Sequence, residues 1–408
     1  MSKRCVIIGA SHAGSQAALS LRQSGWEGLI TLIGDENMLP YHRPPLSKAY
    51  LAGDMALDQI LLRPQMVYDQ ADITLKLGAK ANKIDRAARN VTLDGGEQVP
   101  YDKLVLATGA RVRPLSIPGA DDPSVLYLRD ARHSEAIREH IKTAKRALVI
   151  GGGYIGLEAA ASLRKQGLEV VVLEAMDRIL ARVTSPQLSS FFRRLHKEEG
   201  VTIVEGTQAL AIERARDELV IKTSMDHRFH VDCVIVGIGV IPNKDIAAEA
   251  GLQVGNGIDI NAFCQTSDPD IYAIGDVAWH HCPFYDRHTR LESVPNATDQ
   301  AKTVAAYMMG KNVPYKSLPW FWSDQYDVKL QIAGLFEGYD DVVVRGDMSS
   351  ERSFALFYYA RERLLAVDAV NAPRAFMAAR MALSKGQNLD KAVVQDPEAD
   401  LKNAMTAC

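Results

Sequence analysis

The chain has few cysteines, and their placement narrows its chemistry first. Only 5 occur in 408 residues (Cys5, Cys233, Cys264, Cys282, Cys408), with no C-x-x-C and no metal-ligand spacing. That excludes a disulphide scaffold and a paired-thiol redox centre, and it leaves Cys5 and Cys233, inside apolar strand patterns, as small core residues. No apolar run is long enough to span a bilayer, and Met1 to Arg4 lead straight into "CVIIGA", leaving no room for a signal peptide. No membrane association and a cytoplasmic location are therefore expected. Charge of one sign is also lacking: the net charge is −3, from 47 basic and 50 acidic residues. Such a balance gives no electrostatic case for nucleic acid.

What the chain does contain is one unit written twice. "VIIGASHAGSQAALSLRQSG" near the N-terminus has a counterpart in "LVIGGGYIGLEAAASLRKQG". With Gly9 set on Gly151, Gly14 falls on Gly156 and Gly25 on Gly167, and the helical interiors match. Each copy is followed by a second apolar run ending on acid, Asp35 in the first and Glu174 in the second. This is the pattern of a dinucleotide-binding strand–turn–helix. The first glycine permits the tight turn, the second lets the backbone approach a pyrophosphate, and the third lets helix pack on strand. The helix N-terminus faces the phosphates and the acid accepts from the adenosine ribose. The second copy carries all three glycines, Gly151, Gly153 and Gly156; the first has Ser11 in the middle position. Serine is the smallest polar substitute, and its hydroxyl adds a donor where backbone meets phosphate. Gln16 falls on Glu158, so the copies also differ beside the expected chemistry. Two sites in one chain point to two dinucleotides exchanging electrons, a flavin held permanently and a nicotinamide that comes and goes.

Two further segments pair in the same way. "YDKLVLATGARVRP" and "VDCVIVGIGVIPN" read as apolar strands ending in small-residue turns, Ala107-Thr108-Gly109 and Gly237-Ile238-Gly239. "QTSDPDIYAIGDVA" reads as a strand leading through Gly275-Asp276 into a helix start, where Asp276 can bond a polyhydroxyl chain while the helix dipole faces phosphate.

Together with "PYHRPPLSKAYLAG", "ESVPNATDQAK" and "PWFWSDQYDVKLQIAG", these motifs make the chain resemble the flavoprotein reductases with two dinucleotide-binding domains. Within that group it is similar to the NADH-dependent ferredoxin reductases that serve bacterial P450s and ring-hydroxylating dioxygenases. The resemblance runs over almost the whole chain. It implies an α/β fold of two Rossmann-like domains, glutathione-reductase-like, plus a C-terminal α+β domain. The implied FAD domain is discontinuous (1–113 and 242–318), the NADH domain is 114–241, and the C-terminal domain is 319–408. From Val328 on, strand-like runs ("VKLQIAGLF", "DDVVVRG", "FALFYYA", "RLLAVDAV") precede a final helical pattern, which agrees with that division.

The resemblance also assigns residues. For FAD it implies Gly9, Ser11, Ala13, Gly14, Asp35, Arg43, Lys48, Ala81, Ala107, Thr108, Gly109, Arg129, Asp276, Val294 and Trp322. For NADH it implies Gly151, Gly153, Tyr154, Ile155, Gly156, Glu174 and Gly239. Lys48, Glu158 and Trp322 are the expected catalytic residues. The two prolines of "RPPLSK" stiffen the approach to Lys48, whose cation would stabilise negative charge on a reduced flavin, with Glu158 as its partner. The plainer alternatives are a surface lysine and a first-turn acid favoured by the helix dipole. Glu174 favours NADH over NADPH, because a carboxylate accepts from a ribose hydroxyl and repels a phosphate; Arg178 and Arg182 nearby argue the other way.

Trp320 and Trp322 share a face if "PWFWSD" is a strand, and they either flank the flavin or pack the C-terminal core. With no cysteine pair, and with Ser47 where the oxidase branch of the fold carries a thiol, electrons must leave the flavin directly. A one-electron acceptor, a [2Fe-2S] ferredoxin, fits that logic. Lys302 and Lys329 would attract an acidic one, against the plainer reading that isolated lysines are simply solvated. Alternatives are rubredoxin, a small quinone-like acceptor, or an NADH-responsive signalling flavoprotein of the apoptosis-inducing-factor type. A monomer or weak homodimer is expected.

Overall fold

The computed structural model describes residues 3–407, so Met1 and Cys408 of the foregoing reading lie outside the described residues. The chain forms two compact units. One takes the segment ending at His42, then Asp58–Arg111 and Ile241–Pro319; the other takes Arg43–Leu57, Val112–Val240 and the segment from Trp320 on.

In the first unit, five parallel strands run in the order Ile271–Ala273, Lys103–Leu106, Arg4–Ile8, Leu29–Gly34, Ile73–Leu77. The central strand, "RCVII", is buried from Cys5 onward, as in parallel sheets covered on both faces. Helix His12–Gln23 leaves the tip of that strand and packs against helix Val294–Met308. Chain order reverses between Arg4–Ile8 and Lys103–Leu106, the position at which a doubly wound sheet leaves its ligand crevice. A small antiparallel sheet (Ala81–Asp85, Asn90–Leu93, Gln98–Pro100) completes the unit's middle segment.

The second unit repeats the plan: Thr202–Val204, Glu169–Leu173, Arg146–Ile150, Cys233–Val236 and Val125–Tyr127 run parallel, with helix Tyr154–Lys165 leaving the central strand. It also contains a five-stranded antiparallel sheet, ordered Trp320–Gln325, Val328–Gly334, Arg363–Val370, Phe354–Ala360, Asp341–Arg345, and helix Pro373–Ser384. The four C-terminal strands lie on the apolar runs read from sequence, and Trp320 and Trp322 do share a face, with ring centroids 5.6 Å apart.

One expectation fails. After Gly275-Asp276 no helix begins: a single turn (Gly275–Val277) passes into strand Ala278–Cys282, whose "AWHHC" pairs with Ile258–Ile260 and Arg287–Thr289. The strand pairing on both sides takes precedence over the helix-start pattern. The turn is fixed from elsewhere, since Gln300 accepts from the Gly275 N–H at 2.8 Å.

Cys5, Cys233, Cys264 and Cys282 are all buried and in no disulphide. Burial pushes the Cys5 and Cys233 thiols up to about 12 and raises Cys264 and Cys282 as well.

Within the antiparallel sheet, Asp368 is 2 % exposed and accepts from the hydroxyls of Thr184 and Tyr358. Burial outweighs those two bonds and raises its carboxyl from 3.8 to about 6. A carboxyl with a higher pKa folded than unfolded supports the fold only while protonated. That support is complete below pH 4 and is lost as pH rises through 6. Asp368→Asn is therefore expected to be more stable than the parent at pH 8, by up to about 3 kcal/mol, with the gap closing below pH 5. Urea unfolding at both pH values checks this, and an equal effect at both would exclude the titration.

Candidate active site

Each glycine-rich turn needs its outer glycines for a steric reason. Gly9 has φ +113°, and a Cβ there would lie 2.0 Å from the Ala107 carbonyl oxygen; at Gly14 it would lie 1.8 Å from that of Gly9. The second turn repeats this, with Gly151 at φ +110° and 2.4 Å from the Gly237 carbonyl oxygen, and Gly156 2.0 Å from that of Gly151. The middle position is different. Gly153 is extended (φ −78°, ψ 176°) and nothing lies within 4 Å of an added Cβ, while Ser11 is also extended (φ −118°, ψ −156°). Serine at that point carries no backbone strain.

Neither turn is followed by a side-chain cap, whereas Asp130, Ser185 and Ser293 cap the N-termini of other long helices. Uncapped first-turn N–H groups behind a glycine-cleared approach fit a pyrophosphate in each unit.

The acids do not align as the sequence suggested. Strand pairing sets Ile8 beside Ile33 and Ile150 beside Leu173, so Glu174 corresponds to Gly34, and exposed Asp35 stands one residue beyond. The reason is a reciprocal exchange of side chains. In the first turn Ala10 has a Cβ, and one added to Gly34 would lie 2.6 Å from it. In the second, Gly152 has none, which leaves room for the Glu174 carboxylate to accept from the Gly152 N–H at 2.7 Å and the Met176 N–H at 2.8 Å. Two backbone donors thus fix Glu174 as an acceptor. Arg178, the cation nearest it in sequence, is engaged elsewhere: its guanidinium donates to Ser189 Oγ (2.6 Å) and to the Ala181 and Thr184 carbonyls (3.0 and 2.9 Å). It braces the loop; Arg182 is exposed.

The structure brings Lys48 and Glu158 together, both within the second unit. Pro44–Ser47 forms a single 3-10 turn with proline at its start, and Lys48 follows. The segment is pinned by Ser162 Oγ donating to the Ser47 carbonyl (2.7 Å) and Ser134 Oγ donating to that of Leu46 (3.0 Å). Lys48 Nζ reaches Glu158 Oε2 at 2.9 Å, with the Glu158 side chain 1 % exposed and that of Lys48 19 %. Ser47 Oγ donates to Oε2 at 2.6 Å and Ser323 Oγ to Oε1 at 2.6 Å. A buried carboxylate is tolerated when paired and fully hydrogen-bonded, and these three donors meet that condition.

Ser323 was not among the residues expected from sequence, and Ser47 was expected only as a missing thiol, not as a donor to Glu158. Strand alternation gives the one available signal for Ser323: it faces opposite to Trp322, toward helix Tyr154–Lys165. Trp322 consequently stands apart from Glu158; on its face Trp320 meets Phe376 (6.0 Å) and Arg380 (4.9 Å). Tyr154 packs on Phe321 at 5.1 Å, and Ile155 is 47 % exposed.

Among the other expected residues, Arg43 donates to the Arg129 carbonyl at 2.8 Å, and Gly239 is exposed at φ +102°. In the first unit Ala13 and Ala107 are buried, and Ala81, Asp276 and Val294 are half-buried. Thr108 exchanges hydrogen bonds with Asn243 (2.8 and 2.9 Å), and Gly109 turns the chain at φ +62°.

Two Rossmann-type sheets, each with a glycine-cleared and uncapped helix start, define a two-dinucleotide reductase. Residues 3–301 match the pyridine nucleotide-disulphide oxidoreductase family and residues 320–405 the reductase C-terminal family. The chain belongs to the pyridine nucleotide-disulphide oxidoreductase family, and its cofactors are the family's, FAD and a nicotinamide dinucleotide. It is 43 % identical to the putidaredoxin reductase of Pseudomonas putida (98 % of this chain, 96 % of that one). It is 46 % identical to the rhodocoxin reductase of Rhodococcus erythropolis (98 % and 94 %). Among solved structures, the ferredoxin reductase for the CYP199A2 system from Rhodopseudomonas palustris superposes with a TM-score of 0.96 at 43 % identity, covering 99 % and 100 % of the two chains.

With Glu174 fixed as an acceptor and Arg178 bonded into the loop, Glu174→Ala is expected to raise the NADPH/NADH ratio of kcat/KM by roughly tenfold or more, about 1.4 kcal/mol. Arg178→Ala should leave that ratio within twofold and lower thermal stability instead. Steady-state kinetics with both nucleotides decides it.

Proposed function

We propose that this protein is an FAD-dependent NADH:ferredoxin reductase that passes single electrons to a [2Fe-2S] ferredoxin feeding a P450 or ring-hydroxylating oxygenase. The observation that carries the reading is the buried Lys48–Glu158 pair; the resemblance adds that Ser47 on the same segment stands where the oxidase branch of the fold carries a thiol. Bound FAD supplies an acceptor that takes two electrons together and gives them up one at a time. The residues do the rest. The first unit's turn takes FAD and the second's takes NADH, with Glu174 accepting from the adenosine ribose. Glu158, held by two hydroxyls, keeps the Lys48 ammonium at a fixed point beside the nucleotide-binding helix, where a cation stabilises charge as hydride arrives. Ser47 cannot accept electrons as a thiol would, so none are diverted into sulphur.

The acceptor follows from relatives and surface chemistry. The relatives named above are titled reductases of putidaredoxin, of rhodocoxin and of a ferredoxin, and a solved structure at 43 % identity is titled a covalent putidaredoxin reductase–putidaredoxin complex. Helix Pro373–Ser384 ("PRAFMAARMALS") carries Arg374 and Arg380 and no acid; it exposes Met377 (57 %) and Met381 (38 %), and its Phe376 and Arg380 meet Trp320. A cationic, apolar face of this kind suits a small acidic partner. The domain boundaries we assign are 1–113 with 242–318 for FAD, 114–241 for NADH and 319–408 for the C-terminal domain. No helix among the described residues is long and apolar enough to cross a membrane, and we place the enzyme in the cytoplasm as a monomer or weak dimer.

Anaerobic NADH should bleach the flavin rapidly, and cytochrome c reduction should then depend on added ferredoxin. Fast bleaching with no ferredoxin dependence would favour rubredoxin or a small acceptor; slow bleaching with a persistent long-wavelength band would favour a signalling role. Lys48→Met should slow flavin reduction by about 10²-fold, the scale of losing one preorganised electrostatic group, while FAD is retained.

A further inference from the structure

Glu158 is the end of a longer chain of side chains, all within the second unit. Ser323 Oγ, which donates to Glu158 Oε1, lies 3.2 Å from Gln325 Nε2; Gln325 Oε1 lies 2.8 Å from His196 Nε2; His196 Nδ1 lies 3.3 Å from the Tyr326 hydroxyl. Ser323, Gln325 and His196 are each no more than 1 % exposed. They come from strand Trp320–Gln325 and helix Pro186–Glu198, and the chain ends on a third element, helix Tyr154–Lys165.

The donor direction at every joint follows from the anion. A carboxylate only accepts, so Ser323 must give it its single proton. The Ser323 lone pair then receives the Gln325 amide N–H, leaving the amide oxygen to accept from His196 Nε2–H. Burial holds His196 down to about 4, so at neutral pH the ring has one N–H, and Nδ1 is left to accept from Tyr326. Three buried groups and the half-buried Tyr326 thus share one polarity, aimed at one oxygen. A side-chain amide in the middle makes this a rigid strut and not a path for protons, since an amide does not readily pass a proton from oxygen to nitrogen.

We propose that Ser323, Gln325 and His196 are positioning residues that fix the Glu158 carboxylate, and through it the Lys48 ammonium. This rests on the reading of Lys48–Glu158 as the redox-site pair. The C-terminal sheet then sets the geometry of that pair, in addition to any role in docking. Ser47 holds Oε2 from the lysine's own segment and Ser323 holds Oε1 from the sheet, so rotation of the carboxylate requires breaking one or the other.

Two measurements on the full-length FAD-loaded protein test it. In ¹⁵N-histidine spectra, His196 should be the Nε2–H tautomer. Glu158→Gln, whose carboxamide can donate as well as accept, should convert it to a mixture. A wild-type Nδ1–H tautomer, or no change in the variant, overturns the strut. In stopped-flow reduction, Ser323→Ala should slow bleaching by about tenfold with NADH affinity unchanged, Gln325→Met should slow it less, and Ser323→Thr should restore the rate to within twofold of wild type. Lys48→Met separates the two claims. If it bleaches at the wild-type rate, the pair itself is misread. If it is slow while Ser323→Ala is as fast as wild type, only the positioning role is lost. The tautomer result stands independently of both.

Discussion

A carboxylate that is almost entirely out of water sets the terms for this protein's second unit. Left alone, Glu158 would disfavour the fold by several kcal/mol (roughly 3–5 for a buried pair broken on one side). It is tolerated because a lysine and two serine hydroxyls converge on its two oxygens. Those donors come from a proline-stiffened turn near the N-terminus and a strand near the C-terminus, each brought to the helix that carries Glu158. Satisfying one charge therefore ties together three stretches of chain that are distant in sequence.

That constraint also explains why the two nucleotide-binding copies are not interchangeable. Their outer glycines face the same steric demand, a carbonyl oxygen about 2 Å from any added Cβ. Their second layers differ. The Gln16 side chain, which aligns with Glu158, donates to Ser20 on its own helix at 2.8 Å. Ala10 and Gly34 exchange bulk with Gly152 and Glu174. One turn thus keeps its acid outside the loop, while the other folds its acid back onto backbone N–H groups. A permanently bound dinucleotide and an exchanging one make different demands on a loop, and the differences lie where a duplicated sequence can drift without disturbing the turn.

Much of this was legible in the sequence, for local reasons. The doubled strand–turn–helix, the apolar strands after it and the alternating C-terminal runs are short-range patterns, and the structure has them in place. The Lys48–Glu158 contact was legible through resemblance, since no spacing rule links residues so far apart. Three features were not legible. Glu174 and Asp35 looked equivalent because each closes an apolar run, and only strand register shows the one-residue offset. The helix expected after Asp276 is a strand, because "AWHHC" finds partners on both sides that a local reading cannot see. Ser323, and the bond that Ser47 makes to Glu158, were hidden for a related reason: serine has no pattern of its own, and its importance comes entirely from what it faces.

The absence of redox sulphur has a consequence beyond the route of the electrons. Enzymes that activate oxygen leak peroxide, and a thiolate near such a partner is steadily oxidised. The four described cysteines are buried, with their thiols raised well above neutrality, so almost none is thiolate at cellular pH. With a serine against Glu158, the described residues offer almost no thiolate to the by-products of the oxygenase the protein is proposed to serve. Insensitivity to thiol oxidation at this position then comes with the same residue that directs electrons outward.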